Sequence, residues 1–284
     1  MKIGVSSYSF SKYRRATGAS LIEICDLAKK IGFDGIEFID LDGEDQIAQA
    51  NEIREHCAKI GLEINAYTIG ANFLAEDVEA EKARLKGCLA VAKALGAKVM
   101  RHDVIYKLKD EDPRYTWREA IAEIAPHVRE ITEYAATLGI RTCTENHGRS
   151  VQAPERVEAL MMAVNHPNYG WLFDMGNFQG VGADPLAAYN IARPYIFHVH
   201  AKDNIVKDGS IVAPAGMGRT SQGNFLRGTI IGQGCVPIVP IVAALQASGY
   251  DGYLSYEFEG SEENLPAIEA GYEYLRRVVD ATKP

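Results

Sequence analysis

The chain has 284 residues, 47% of them hydrophobic and 24% charged, a balance that suits a globular protein with a sizeable core and excludes a disordered one. Its formal net charge of −8 gives no general electrostatic reason to approach a polyanion, so nucleic acid is excluded as a default partner. The five cysteines (Cys25, Cys57, Cys88, Cys143 and Cys235) form no CxxC pair and no disulfide framework, and they read as reduced thiols.

The N-terminal run MKIGVSSYSF enters a strand-like segment directly and lacks the long apolar stretch of a signal peptide. No segment reaches the roughly 20 apolar residues that would span a bilayer. The expectation is a cytoplasmic protein with no membrane partner. From there, short β-branched runs alternate with longer stretches of helical periodicity, the ordering of a parallel α/β fold. Strand candidates fall at residues 2–8, 35–39, 63–67, 98–103, 141–146, 170–174, 196–201 and 252–258. Eight such units predict a single (β/α)8 TIM barrel over 1–284. Helices end in Lys-Lys-Ile-Gly (29–32), Lys-Ile-Gly (59–61), Ala-Leu-Gly (94–96), Thr-Leu-Gly (137–139) and Ala-Ser-Gly (247–249), each glycine suited to a left-handed cap before the next strand. The one long irregular stretch, 202–237, holds seven glycines and reads as a loop without a helix, which in a compact domain is usually functional.

In such a barrel the active site lies where the C-terminal ends of the strands open into loops. Taken in order, the first strand brings Tyr8, a sugar-stacking wall or plain packing, and Phe10, read as packing. The second ends at Glu37 and the fourth in MRHDV, with Arg101 and His102; the facing of all three depends on register. The fifth ends TCTENHG, with Glu145 and His147 on one side and Asn146 on the other. The sixth ends WLFDMGN, placing Asp174 at the rim. The seventh reads FHVHAKD, with His198 and His200 on one face because side chains repeat every two residues. The eighth reads LSYEFEG, where Glu257 and Glu259 share a face.

A lone glutamate at a strand end is more often solvated or ion-paired than a ligand, and a lone histidine more often a satisfied core residue. Four consecutive strands each ending in a metal-competent donor outweigh those readings. Glu145, Asp174, His200 and Glu257 make a hard, anionic site for one divalent cation: Mn2+ first, with Mg2+, Co2+ or Zn2+ compatible. Burying three carboxylates together without a cation would be prohibitive.

The motifs GFDGIEF (32–38), TENH (144–147), FDMGN (173–177), HVHAKD (198–203) and LSYEFEG (254–260) together resemble the sugar phosphate isomerase/epimerase family, with its xylose isomerase-like barrel. The resemblance runs over nearly the whole chain. It implies one metal on the four residues above, with Glu145 and Glu257 as the acid/base pair exchanging a proton beside a carbonyl that the metal polarises. It implies too that the loop RGTIIGQG brings Arg227 to substrate oxygens; a loop arginine exposed to solvent is the bland alternative. His198 supports the metal ligands, and His147 does that or touches substrate. Lys202 contacts substrate or pairs with Asp203. His102 and Glu37 are further substrate-binding candidates. Asn177 is a substrate-binding candidate as well, and it departs from the family: ketose 3-epimerases commonly carry a substrate-binding histidine there, which puts that particular activity in doubt.

The implied function is isomerisation or epimerisation of a sugar, keto-sugar or cyclitol through proton transfer and an enediolate. The alternative is a dehydratase or lyase acting on an oxidised sugar, inosose or 3-keto-glycoside with the same metal site. An AP-endonuclease-like hydrolase is remote, since it needs more strand-end histidines and a basic face. A sugar-binding barrel without chemistry is disfavoured by the presence of both glutamates. Barrels of this type often pair, so a homo-oligomer is compatible with the sequence.

Overall fold

Glycines Gly32, Gly61, Gly96, Gly139 and Gly249 all adopt positive φ, between 69° and 116°, so each of the five helix-to-strand turns read from the sequence is made in the left-handed conformation that a side chain disfavours. The computed structural model describes residues 1–109 and 114–283. The turns join the strands β1 (Lys2–Ser6), β2 (Gly35–Phe38), β3 (Glu63–Ile69), β4 (Val99–His102), β5 (Arg141–Glu145), β6 (Tyr169–Asp174) and β7 (Ile196–Ala201) to the helices α1 (Ser11–Thr17), α2 (Leu21–Ile31), α3 (Gln46–Ile60), α4 (Val78–Leu95), α5 (Trp117–Thr137), α6 (Pro154–Val164) and α7 (Pro185–Ala192).

The segment read as a loop between the seventh and last barrel strands instead folds. Strands β8 (Asp203–Lys207), β9 (Gly218–Arg219) and β10 (Phe225–Thr229) form a three-stranded sheet in the order β8-β10-β9, antiparallel at both pairings. The strands are short and separated by turn residues, which hid their period from the sequence pattern. Helix α8 (Ile238–Ala247), strand β11 (Tyr253–Tyr256) and helix α9 (Asn264–Ala281) complete the chain.

Strands β1 to β7 and β11 close into an eight-stranded barrel in the order β1-β11-β7-β6-β5-β4-β3-β2, every neighbouring pair parallel. Most of the apolar core lies between this barrel and its helices, where Ile24, Ile53, Leu89, Ile131, Leu160, Ile241 and Leu275 are fully buried. A second, smaller cluster of Ala66, Val99, Cys143 and Leu172, with Phe197 packed on it, plugs the inside of the barrel. Two residues further along their strands, Arg101, Glu145 and Asp174 therefore share that inward face, which fixes the register left open for Arg101. Among the described residues, no helix is long and apolar enough to cross a membrane.

Candidate metal centre

At the rim above this plug, one donor atom from each of Glu145, Asp174, His200 and Glu257 lies within 4.8 Å of the others. Local structure aims each of them. Asn146 clamps the end of β6, donating to the Asp174 carbonyl (2.9 Å) while its own oxygen accepts from the Asp174 N–H and from Trp171 Nε1, both at 3.0 Å. Oδ1 of Asp174 is occupied by the N–H groups of Gly176 (2.7 Å) and Asn177 (2.8 Å), so Oδ2 is left to face the cluster. Nδ1 of His200 stands 3.6 Å from Glu145 Oε1, 3.7 Å from Asp174 Oδ2 and 3.6 Å from Glu257 Oε2.

Those separations are too long for hydrogen bonds. They match the edges of a tetrahedron of ligands about 2.1 Å from a common centre, which are about 3.4 Å long. His200 Nδ1 and Asp174 Oδ2 are both buried without a hydrogen-bond partner, a costly state that a cation between them would relieve. The electrostatics point the same way. Burial opposes a proton on His200, yet the carboxylates of Glu37, Glu257 and Glu145 overcome it and raise its pKa well above the ordinary value; the cluster draws positive charge. The donor set thus fits a hard divalent ion.

Two cations of the chain itself border the cluster. Lys202 is buried, and its ammonium lies 2.5 Å from Glu257 Oε2, 3.2 Å from Glu259 Oε2, 3.4 Å from Asp174 Oδ2 and 3.3 Å from Asn177 Oδ1. Burial disfavours its charge, but the Asp174, Glu257 and Glu259 carboxylates outweigh burial and hold it protonated, well above the ordinary lysine range. Of the two roles expected for Lys202, pairing with Asp203 is not observed: the Asp203 carboxylate instead accepts from the backbone N–H groups of Asn204, Gly232, Gly234 and Val236 at 2.8–3.0 Å. On the other side Arg101 places NH2 2.7 Å from Glu145 Oε2 and 2.9 Å from Asp103 Oδ1. Burial would lift the Glu145 pKa, and the charges of Arg101 and His200 reverse this and bring it well below the usual range. Glu257 moves upward, chiefly through burial, against the lowering pull of Lys202 and His200.

A cavity of about 200 Å3 opens above the cluster, lined by Tyr8, Arg101, Glu145, His147, Lys202 and Glu257 among others. His147 stands at its wall with Nδ1 3.2 Å from Asp103 Oδ1, and Asn177 donates from Nδ2 to Glu145 Oε1 at 2.8 Å. Other residues expected at the substrate lie elsewhere. Glu37 is fully buried beneath the site, 2.7 Å from His198 Nε2 and 2.7 Å from His200 Nε2. His198, expected to support the ligands, meets Glu37 at 2.7 Å, and Glu37 in turn stands behind His200. The His102 ring faces outward, packed against Phe73 and Tyr169 with Nδ1 2.8 Å from the Asp103 carbonyl. Arg227 extends from β10 to Ser261 and Glu262, outside the cavity lining. Phe10 is buried packing, whereas Tyr8 is 40% exposed at the cavity. Sequence reasoning did not single out Asp103, Thr68 or Ile39; the last two line the cavity and carry no chemical signature that a motif could reveal.

A family model described as xylose isomerase-like TIM barrel matches residues 25–278. An inosose dehydratase of Yersinia enterocolitica is 29% identical over 232 residues, which cover 77% of this chain and 70% of that protein. The match to an inosose dehydratase of Lacticaseibacillus casei, also 29% identical, covers 61% of this chain and 58% of that protein. Among solved structures, the probable 3-DHS dehydratase AsbF of Bacillus anthracis superposes with a TM-score of 0.77 at 21% identity, covering 97% of this chain and 99% of that one. An L-ribulose 3-epimerase superposes with a TM-score of 0.75 at 21% identity, covering 99% and 95%. At these identities the structural likenesses speak for the fold alone.

Proposed function

We infer that this chain, which belongs to the xylose isomerase-like TIM barrel family, is a divalent-metal-dependent dehydratase that removes water from a polyhydroxylated ring ketone of the inosose class. Isomerisation or epimerisation, placed first on the sequence alone, yields to elimination, because the sequence relatives reported above carry the name inosose dehydratase.

The observation that carries the reading is the Lys202–Glu257 pair, 2.5 Å apart at the cavity. Elimination needs a base for the proton beside the carbonyl and an acid for the departing hydroxyl. The Glu257 carboxylate and the Lys202 ammonium supply them side by side. A divalent cation on Glu145, Asp174, His200 and Glu257, with Mn2+ the first choice and Mg2+, Co2+ or Zn2+ also suited to the donors, contributes Lewis-acid polarisation of the substrate carbonyl. Glu257 takes the proton from the adjacent carbon. The electron pair of that C–H bond becomes a C=C bond, the neighbouring C–O bond breaks, and the hydroxyl leaves as water with a proton from Lys202, whose hold on that proton a divalent cation on the same carboxylates would weaken by like-charge repulsion. The product is a hydroxy-enone, which tautomerises to a diketone. His147 and Asn177 border the cavity as candidates to hold ring hydroxyls, and Tyr8 forms a wall against the ring.

Epimerisation remains the second reading, favoured by the position of Glu145 at the end of β5 and Glu257 just after β11, strands three places apart around the eight-stranded barrel. Incubating Mn2+-loaded protein with a panel of inososes, keto-sugars and 3-keto-glycosides in D2O and following products by NMR separates the two. Water loss from an inosose is the expected result; clean epimers with no dehydrated product would replace the proposal with the second reading.

A further inference from the structure

We propose that Arg101, assisted by Asn177, pins Glu145 as a stationary carboxylate, so that the two glutamates of the site are not equivalent and proton exchange with substrate runs on the Glu257 side alone. This deepens the dehydratase reading and rests on it.

Both oxygens of Glu145 are engaged. Oε2 receives the Arg101 guanidinium at 2.7 Å, and Oε1 receives the Asn177 amide at 2.8 Å. The amide is itself held, because its oxygen accepts from Lys202 at 3.3 Å and the Asn177 carbonyl accepts from Gln152. Arg101 is equally immobile: it is 8% exposed, bridges Glu145 and Asp103, and reaches the Ile69 carbonyl at 3.3 Å. Its Nε is nevertheless buried without a partner, a cost that a purely structural arginine would be expected to avoid. A guanidinium keeps its charge and its protons throughout. Glu145 therefore carries a donor on each oxygen and is held in one place between them.

Glu257 is placed differently. Its Oε2 meets the ammonium of Lys202, which is shared with Glu259, Asp174 and Asn177, so on this side the carboxylate stands beside a group that can release a proton rather than a guanidinium that keeps its own. Inverting a carbon requires a proton to leave one face and return to the other, hence a mobile carrier on each side. Elimination requires one base and a neighbouring acid. A clamp on one glutamate converts a two-sided site into a one-sided one, and Arg101 is thus a positioning residue that sets reaction specificity.

The test uses full-length Mn2+-loaded wild type, Arg101→Gln, Arg101→Lys and Asn177→Ala with scyllo-inosose in D2O, read by NMR. Mn2+ titration and thermal melting establish that each variant binds its ion and folds. Wild type is expected to lose water from the substrate and to return any unreacted substrate labelled beside the carbonyl with its configuration retained. Arg101→Gln is expected to form the epimeric inosose about tenfold faster relative to water loss, Asn177→Ala to move the same way by less, and Arg101→Lys to return toward wild type. Epimer formation by wild type, or an unchanged epimer-to-water-loss ratio in both Arg101→Gln and Asn177→Ala, would overturn the proposal. Should Arg101→Gln not fold, Asn177→Ala and Arg101→Lys carry the comparison. Absence of any exchange or water loss in wild type is a different outcome: it removes the dehydratase reading, and this inference with it.

Discussion

Glu37 on β2 lies 2.7 Å from Nε2 of His200 on β7, behind the ring whose Nδ1 looks toward three carboxylates. The contact is an ion-pair approach rather than an aligned hydrogen bond, while the second oxygen of Glu37 meets His198 Nε2 in a hydrogen bond at 2.7 Å. A carboxylate behind a histidine ligand fixes its tautomer and raises its donor strength. Burial would raise the Glu37 pKa, and the charge of His200 with the hydrogen bond from His198 instead holds it far below the carboxylate range. Glu37→Gln should therefore weaken Mn2+ binding about 10- to 100-fold with the barrel intact. Calorimetric titration checks this; unchanged affinity would mean that Glu37 serves the fold and not the centre.

Glu145→Gln and Glu257→Gln should each abolish turnover and leave the circular dichroism spectrum unchanged. Chelation by EDTA should do the same reversibly, with Mn2+ or Co2+ restoring activity and about one ion bound per chain. Full turnover by metal-stripped protein would be incompatible with a Lewis-acid role.

His102 should make the protein sensitive to mild acid. Burial lowers its pKa to about 4, against an ordinary 6.5, so the fold prefers the neutral ring. A folded-state pKa below the unfolded one means stability that is complete above pH 6.5 and lost as pH falls toward 4, on the order of 3 kcal/mol for a shift of this size. In urea melts at pH 7, 5.5 and 4, His102→Gln should lose less stability across the series than wild type. Parallel losses in the two proteins would show that the ring is not the titrating group.

Asp203 gathers four backbone N–H groups, including those of Gly232 and Gly234, and a Cβ at Gly234 would come within 2.2 Å of its Oδ1. Asp203→Asn and Gly234→Ala should each destabilise the protein by about 1–3 kcal/mol and loosen the stretch from Gly232 to Val236. Hydrogen exchange at the N–H groups of Gly232, Gly234 and Val236 reads this out locally, and continued protection in Asp203→Asn would refute the anchoring role.

The amino-acid sequence determined the barrel, its left-handed glycine turns and the strand ends that carry Glu145, Asp174, His200 and Glu257, because alternation of period two and helix punctuation are local properties written into contiguous residues. It also gave the relative facing of neighbours such as His198 and His200. Absolute facing was decided only by tertiary structure. On β2 and β4, pairing with adjacent strands turns Glu37 and Arg101 inward and His102 outward, and no local pattern distinguishes these outcomes since one step of register exchanges the two faces. The meeting of Glu37 with His198, 161 residues apart, and of Arg101 with Glu145 exists only once the barrel is closed. Which of the two glutamates meets Arg101 and which meets Lys202 follows from that closure, since it is set by distances across the rim and not by spacing along the chain.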